Sequence, residues 1–372
     1  MDTNASVLRR YSEAAENQQA ELCCPVSYNS EQLKLLPEEI IEKDYGCGDP
    51  SRYVRPGDTV LDLGSGGGKI CYLAAQLVGV NGQVIGVDMN DDMLALARKY
   101  QADMARKLGG DRVSFHKAYI QDLALDLDAV EDYLQANPVK TTNDYTELQD
   151  WQEKQRHERP LIADNSIDLV VSNCVLNLVG DKQKQQLIQE IHRVLKPGGR
   201  VAISDIVSDE TIPQHLKDDT RLWSGCLSGA FQEQEFIRAF VDAGFLAATY
   251  DKWDANPWQT IDGIEFRSAT LTAIKDEDEP CLDYGHAVIY RGPFKSVYDD
   301  EGHEFPRGER MAICERTYKL LTTGPYKNYF IGINPAQTNE PRPWCAPAGT
   351  RRSANETKNG IHALGEDGGG CC

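Results

Sequence analysis

Thr59-Val60-Leu61-Asp62-Leu63-Gly64-Ser65-Gly66-Gly67-Gly68-Lys69-Ile70-Cys71-Tyr72-Leu73-Ala74-Ala75-Gln76-Leu77 sets an apolar run, a carboxylate, a series of glycines and a helical run in direct succession. Glycine lets a backbone turn tightly and come close to a ligand. A strand that ends in an acid and opens a helix through glycines is therefore a turn suited to a nucleotide-like cofactor. Such turns also join strands to helices where nothing binds, so a second signal is needed. Asp88 supplies it by closing the next apolar run, Val84-Ile85-Gly86-Val87, at about the twenty-residue interval of an acid that bonds ribose hydroxyls.

From Asp62 to Gly68 the pattern is Asp-x-Gly-x-Gly-x-Gly, not the Gly-x-Gly-x-x-Gly that cradles a pyrophosphate. An acid at the strand end suits a cofactor with a cationic methionine end. In these residues the chain resembles the class I methyltransferases, which implies S-adenosylmethionine as the methyl donor.

The surrounding sequence supports that frame. Strand and helix patterns alternate: a strand to Asp62, a helix to about Leu77, a strand Val84 to Asp88, a helix Asp92 to Leu108 and a strand Val113 to His116. They resume with a strand Ile167 to Ser172, a helix Lys182 to Leu195, the turn Lys196-Pro197-Gly198-Gly199 and a strand Arg200 to Ile206. A helix Gln232 to Ala243 and strands near Ala247 to Tyr250 and Phe266 to Ile274 follow. This alternation predicts an α/β fold, a doubly wound Rossmann-like sheet of seven strands with the last reversed.

Four regions are expected. Residues 1–53 form a cysteine-bearing helical arm, with one helix through Val7, Tyr11 and Ala14 and another started by Pro37. Residues 54–275 form the cofactor-binding domain, interrupted at 123–160 by an acidic insertion that is either a lid or surface decoration. Residues 276–335 read as a small β-rich domain, and 336–372 as a flexible tail ending in Cys371-Cys372.

Composition excludes some partners. The 372 residues carry 58 acidic and 39 basic side chains, a formal net charge of -19, which argues against nucleic acid or an anionic membrane surface. No apolar stretch approaches the roughly 18 residues of a membrane span, and Met1 to Ala20 lacks an apolar signal region. A cytoplasmic protein is expected, acting as a monomer and with its thiols reduced.

The 11 cysteines then need another account than a disulfide framework. Cys71 fits the buried inner face of the first helix after the glycine turn. Cys47 in Tyr45-Gly46-Cys47-Gly48, Cys174 in Ser172-Asn173-Cys174-Val175-Leu176-Asn177, and Cys226 in Trp223-Ser224-Gly225-Cys226-Leu227-Ser228-Gly229-Ala230 are different. Cys174 and Cys226 follow strands at the carboxyl edge of the sheet, where this fold places its chemistry, and Cys47 lies in the arm that must cover that edge. Each alone could be a small packed residue in a tight turn. Three together beside a methyl donor suit a soft, thiophilic centre. Zinc prefers four ligands, often from Cys-x-x-Cys, and no such pair occurs. Trivalent arsenic fits better, because three thiolates leave it a lone pair that can attack a methyl group without a general base.

Cys23-Cys24, Tyr45 to Gly48, Asp62 to Gly68, Asn173-Cys174-Val175-x-Asn177 and Ser224-Gly225-Cys226-x-x-Gly229-Ala230 together resemble the arsenite S-adenosylmethionine methyltransferases, over about residues 20–335. The resemblance implies that Cys174 and Cys226 capture arsenite or its thiol conjugates and that Cys47 is the third thiolate. It implies further that Cys23 or Cys24 joins a disulfide relay restored by thioredoxin or glutathione. It assigns Tyr45, Asp62, Gly64, Ser65, Gly66, Gly68, Asp88, Met89, Ile120 and Asn173 to the cofactor, with Asp88 on the ribose and Met89 and Ile120 flanking adenine. Cys371-Cys372 is a candidate for handing metalloid to the site or reducing its disulfide. Two other readings stay open: a methyltransferase for an organic thiol or another soft element, and a soft-metal binding protein that keeps the fold without the chemistry.

Overall fold

The computed structural model describes residues 3–16, 26–43, 45–277, 280–335, 340–344, 347 and 349–357. The chain divides into two compact units, Met1–Asp276 and Glu277–Cys372.

The first unit is built on a sheet whose strands are β1 (Thr59–Leu63), β2 (Gln83–Asp88), β3 (Val113–Lys117), β4 (Ile167–Asn173), β5 (Leu195–Ser208), β6 (Phe245–Trp253) and β7 (Ile264–Lys275). Their order is β3-β2-β1-β4-β5-β7-β6. The first five run parallel. β7 lies antiparallel between β5 and β6, in register from Arg200↔Ile274 to Ser208↔Phe266 on the β5 side. Short strands Phe231–Gln232 and Gln259–Ile261 add to β5 and β7.

Parallel strands covered on both faces read as continuous apolar runs, and β1 shows why. Val60 packs with Ile70, Leu73 and Val84 on one face, while Leu61 and Leu63 pack with Val170, Ile203 and Phe240 on the other. The direction of winding reverses between β1 and β4, which opens a crevice at their carboxyl ends. Asp62, Asp88 and Asn173 all stand near that edge.

Some elements differ from the sequence reading. The expected helix Asp92 to Leu108 breaks at Tyr100 into Asp91–Lys99 and Gln101–Leu108. Lys196-Pro197-Gly198-Gly199 lies within β5, where the register against β4 slips between Ile167 and Leu169. The insertion forms helices Leu127–Ala136 and Thr142–Glu158, joined by the stacked Tyr133 and Trp151 rings at 4.4 Å.

In the second unit, Ala287–Tyr290 is the centre of a three-stranded sheet between Arg310–Ala312 and Phe330–Ile333. The sequence reading of this region as strands alone missed the helix Glu315–Thr323, whose Leu321 joins Val288, Met311 and Phe330 in the core. The boundary expected at 335 also moves. Arg342–Pro343 pairs with Leu282–Asp283, and Arg352 donates to Asp283 at 2.6 Å, so the described residues up to 357 belong to this unit. Among the described residues no helix is long and apolar enough to cross a membrane.

Candidate active site

The glycine turn is fastened to β2 before it reaches the pocket. Gly64 and Ser65 donate their N–H groups to the Val87 carbonyl at 2.8 and 3.0 Å, and Gly66 donates to the Asp88 carboxylate at 2.8 Å. Gly64 takes φ 70°, and a Cβ there would lie 2.5 Å from Val175, so the close approach to the loop after β4 requires glycine. Asp62 accepts from the Cys71 thiol at 3.2 Å, which explains that buried cysteine. Asp88 also accepts from the Asn90 N–H at 2.9 Å, and burial pushes its carboxyl above the ordinary carboxylate range.

One pocket collects Tyr45, Asp62, Gly64, Ser65, Gly66, Asp88, Met89, Ile120, Asn173 and Cys174. Gly68 is the exception among the expected cofactor residues. It caps helix Lys69–Leu77 with φ 87°, and a Cβ on it would meet the Phe115 ring at 2.9 Å, so its role is helix packing. The Ser65 hydroxyl is buried in the pocket wall with no partner among the described residues. An orphaned hydroxyl, two carboxylates and a glycine wall fit S-adenosylmethionine, which offers amine, carboxylate and ribose groups to bond.

Cys174 and Cys226 share a rare backbone geometry, with φ 61° and 63°. Left-handed conformations strain residues that carry a Cβ and gather at functional sites. The Cys226 thiol donates to the Cys174 carbonyl at 3.1 Å. The sulfurs of Cys47 and Cys174 and a carboxylate oxygen of Asp205 lie within 4.8 Å of one another. Burial pushes the Cys47 thiol up and the Cys174 thiol well up, helped there by the neighbouring sulfurs.

Cys47 is brought in by Asn173, the last residue of β4. Its Oδ1 accepts from the N–H groups of Cys47 and Gly48 at 2.9 and 3.0 Å, and its Nδ2 donates to the Gly48 carbonyl at 2.9 Å. Ser268 on β7 donates to the Cys47 carbonyl at 2.6 Å. Thus Asn173 lines the pocket as expected, but its amide is committed to the arm. Cys226 is held by Asn177, which donates to the carbonyls of Ile206 and Cys226 at 2.7 and 3.1 Å.

Asp205 was not singled out by the sequence. It is 1 % exposed in β5, accepts from the Ile206 N–H at 2.8 Å, and its carboxyl is pushed by burial up to about 7. Helix Thr3–Glu16 belongs to the arm expected to cover the site. Its Val7, Leu8 and Tyr11 line the pocket, and the Tyr11 hydroxyl lies 3.8 Å from the Cys226 sulfur. Arg10 donates to the Arg221 carbonyl and the Ser224 hydroxyl, both at 2.9 Å. No residue of the 123–160 insertion lines the pocket. Cys23, Cys24, Cys345, Cys371 and Cys372 lie outside the described residues.

Comparison with known proteins shows the family of the chain. An arsenite methyltransferase of Aquipseudomonas alcaligenes is 33% identical over 324 residues, covering 83% of each chain. The chain belongs to the arsenite methyltransferase family. The mouse arsenite methyltransferase is 29% identical over 93% of this chain and 88% of its own. The crystal structure of an arsenic(III) S-adenosylmethionine methyltransferase from Chlamydomonas reinhardtii matches with a TM-score of 0.55 and 29% identity, over 87% of this chain and 100% of that one. Residues 55–143 and 140–244 match a family model described as a methyltransferase domain. Residues 277–362 match a model described as a domain of unknown function. This arsenite methyltransferase family member is an S-adenosylmethionine-dependent enzyme with the class I methyltransferase fold.

Proposed function

We propose that this enzyme methylates trivalent arsenic held by Cys47, Cys174 and Cys226. The observation that carries the proposal is the gathering of Cys47, Cys174 and Cys226 at the end of a cofactor pocket that Cys174 itself lines. Arsenite exchanges its oxygens for thiol sulfurs, releasing water, and the sulfur pyramid leaves the arsenic lone pair free. S-adenosylmethionine supplies, when bound, an electrophilic methyl on a sulfonium.

The protein's part is positioning and exclusion of water. Asp62, Ser65 and Asp88 would orient the donor, and helix Thr3–Glu16 would cover it, with Tyr11 against Cys226. Cys47, Cys174 and Cys226 would hold arsenic with its lone pair toward the methyl that the donor would supply, the donor's sulfur keeping the electrons of its S–CH3 bond, so that an As–C bond would form and arsenic would become pentavalent. Return to the trivalent state takes two electrons from two cysteine thiolates, which close a disulfide. Cys23 or Cys24 would join that relay, with thioredoxin or glutathione as the reductant.

The test is arsenic speciation by chromatography with element detection after incubation of protein, arsenite, S-adenosylmethionine and a thiol reductant. Methylated arsenicals that vanish in Cys174→Ser and Cys226→Ser proteins support the proposal. Unchanged arsenite in a chain that still binds the donor sinks it and points to an organic thiol or another soft acceptor.

A further inference from the structure

Cys281 and Cys314 are the described cysteines of the second unit, and the chemistry above does not use them. Cys281 leads into strand Leu282–Asp283, and its carbonyl accepts from the Trp344 N–H at 2.8 Å. Cys314 caps helix Glu315–Thr323, is 3 % exposed, and has its sulfur 3.3 Å from the Thr317 hydroxyl. That helix, which Cys314 caps, packs on the strand that Cys281 leads into, and burial, with the neighbouring Cys314 sulfur, pushes the Cys281 thiol up. Cys281 is only partly buried, so the pair can be approached from solvent. Among the described residues no third cysteine, histidine or carboxylate completes a ligand group around them. Zinc, which seeks four donors, is poorly served there.

We propose that Cys281 and Cys314 form a second site, a dithiol that takes a trivalent arsenical with two exchangeable oxygens, such as a monomethylated arsenous acid. The ligand class rests on the arsenic chemistry proposed above; the pairing of the thiols does not. Two As–O bonds and two S–H bonds break, two As–S bonds form, and two waters leave. Arsenic stays trivalent, so no oxidant or reductant is needed. Arsenite would keep one oxygen unreplaced on two sulfurs, whereas the monomethyl compound is fully satisfied. The site therefore favours the once-methylated arsenical, the class of product that transfer and reduction at the first site would yield.

The test uses the full chain carrying Cys174→Ser and Cys226→Ser, reduced and titrated with monomethylarsonous acid, with equivalents bound counted by native mass spectrometry. Adding Cys281→Ser is expected to lower the count by one, and so is Cys314→Ser. Both together are expected to lower it by one and not two, because the two sulfurs hold one arsenic. An unchanged count in Cys281→Ser overturns the proposal, as does a loss of two in the combined variant. Where the buried Cys314→Ser fails to fold by circular dichroism, Cys281→Ser decides. Comparing the parent Cys174→Ser, Cys226→Ser chain with wild type reads the first site separately: equal counts there count against the three-thiol reading alone.

Discussion

Asn173 and Gly48 bond each other in both directions: the Asn173 amide takes the Gly48 N–H at 3.0 Å and gives to the Gly48 carbonyl at 2.9 Å. This exchange joins the end of a central strand to the arm that carries Cys47. Asn173→Ala strands the N–H groups of Cys47 and Gly48 and leaves the Gly48 carbonyl to the Tyr28 hydroxyl at 3.1 Å, and each buried unpaired group costs about 1–3 kcal/mol. The expected result is arsenite affinity reduced at least about tenfold, with a smaller loss in donor affinity. Equal losses of both, measured by titration calorimetry, contradict the arm-positioning role.

Gly48 tests the same joint from the other side. A Cβ there would lie 2.3 Å from the Ser204 hydroxyl oxygen and 2.5 Å from its Cβ, so Gly48→Ala forces strand and arm apart. A destabilisation of about 1–3 kcal/mol is expected, as for overpacked sites. Ser204→Gly in the same chain should restore part of the melting temperature and of the arsenite binding. No rescue would show that the contact does not set the spacing.

Asp205 should give the fold a pH dependence. Its carboxyl ordinarily titrates at 3.8 and is pushed to about 7 by burial, so folding takes up a proton between those values. The stability contribution is full below the lower value and is lost as pH rises through the upper one. The shift corresponds to roughly 4 kcal/mol. Asp205→Asn removes it, so wild type should lose melting temperature relative to the variant as pH goes from about 5 to about 8. A difference that stays level over that range means the carboxyl is charged throughout.

Helix Thr3–Glu16 touches both halves of the site, through Asn90 donating to Leu8 and Ser12 at 3.2 and 3.1 Å and through Arg10 bonding Arg221 and Ser224. Removing Arg10 side-chain bonds at about 0.5–1.5 kcal/mol each should weaken donor binding about three- to tenfold. Amide hydrogen exchange in residues 3–16 should quicken in Arg10→Ala, and donor should slow it in wild type. If donor leaves that exchange unchanged in wild type, the helix is not a cover.

The cofactor turn was legible because it is local. Asp62, Ser65, Gly66 and Asp88 stand on one strand-turn-helix unit and its neighbour, and the pocket collects them. The meeting of Cys174 and Cys226 was legible because the strand alternation fixes which loops share an edge, and that of Cys47 because the arm had to cover that edge. Asp205 was not, being one of 58 acids. Its only signal is a carboxylate inside the apolar run Val201-Ala202-Ile203-Ser204-Asp205-Ile206-Val207. The destination of helix Thr3–Glu16 was hidden for a different reason: its pattern shows an apolar face, but the surface it meets, on helices Asp91–Lys99 and Thr220–Ser224, is distant in sequence. Helix Glu315–Thr323 escaped notice between short strands separated by Gly, Pro and Asp turns.

The left-handed backbones of Cys174 and Cys226 set a trap for protein engineering. A search for thermostabilising changes relieves strained non-glycine residues first, and glycine at these positions would be chosen by that criterion. Each such change would remove a sulfur from the site. Heat resistance gained there would select for proteins that outlast their catalyst, so screens on this enzyme should score turnover before survival.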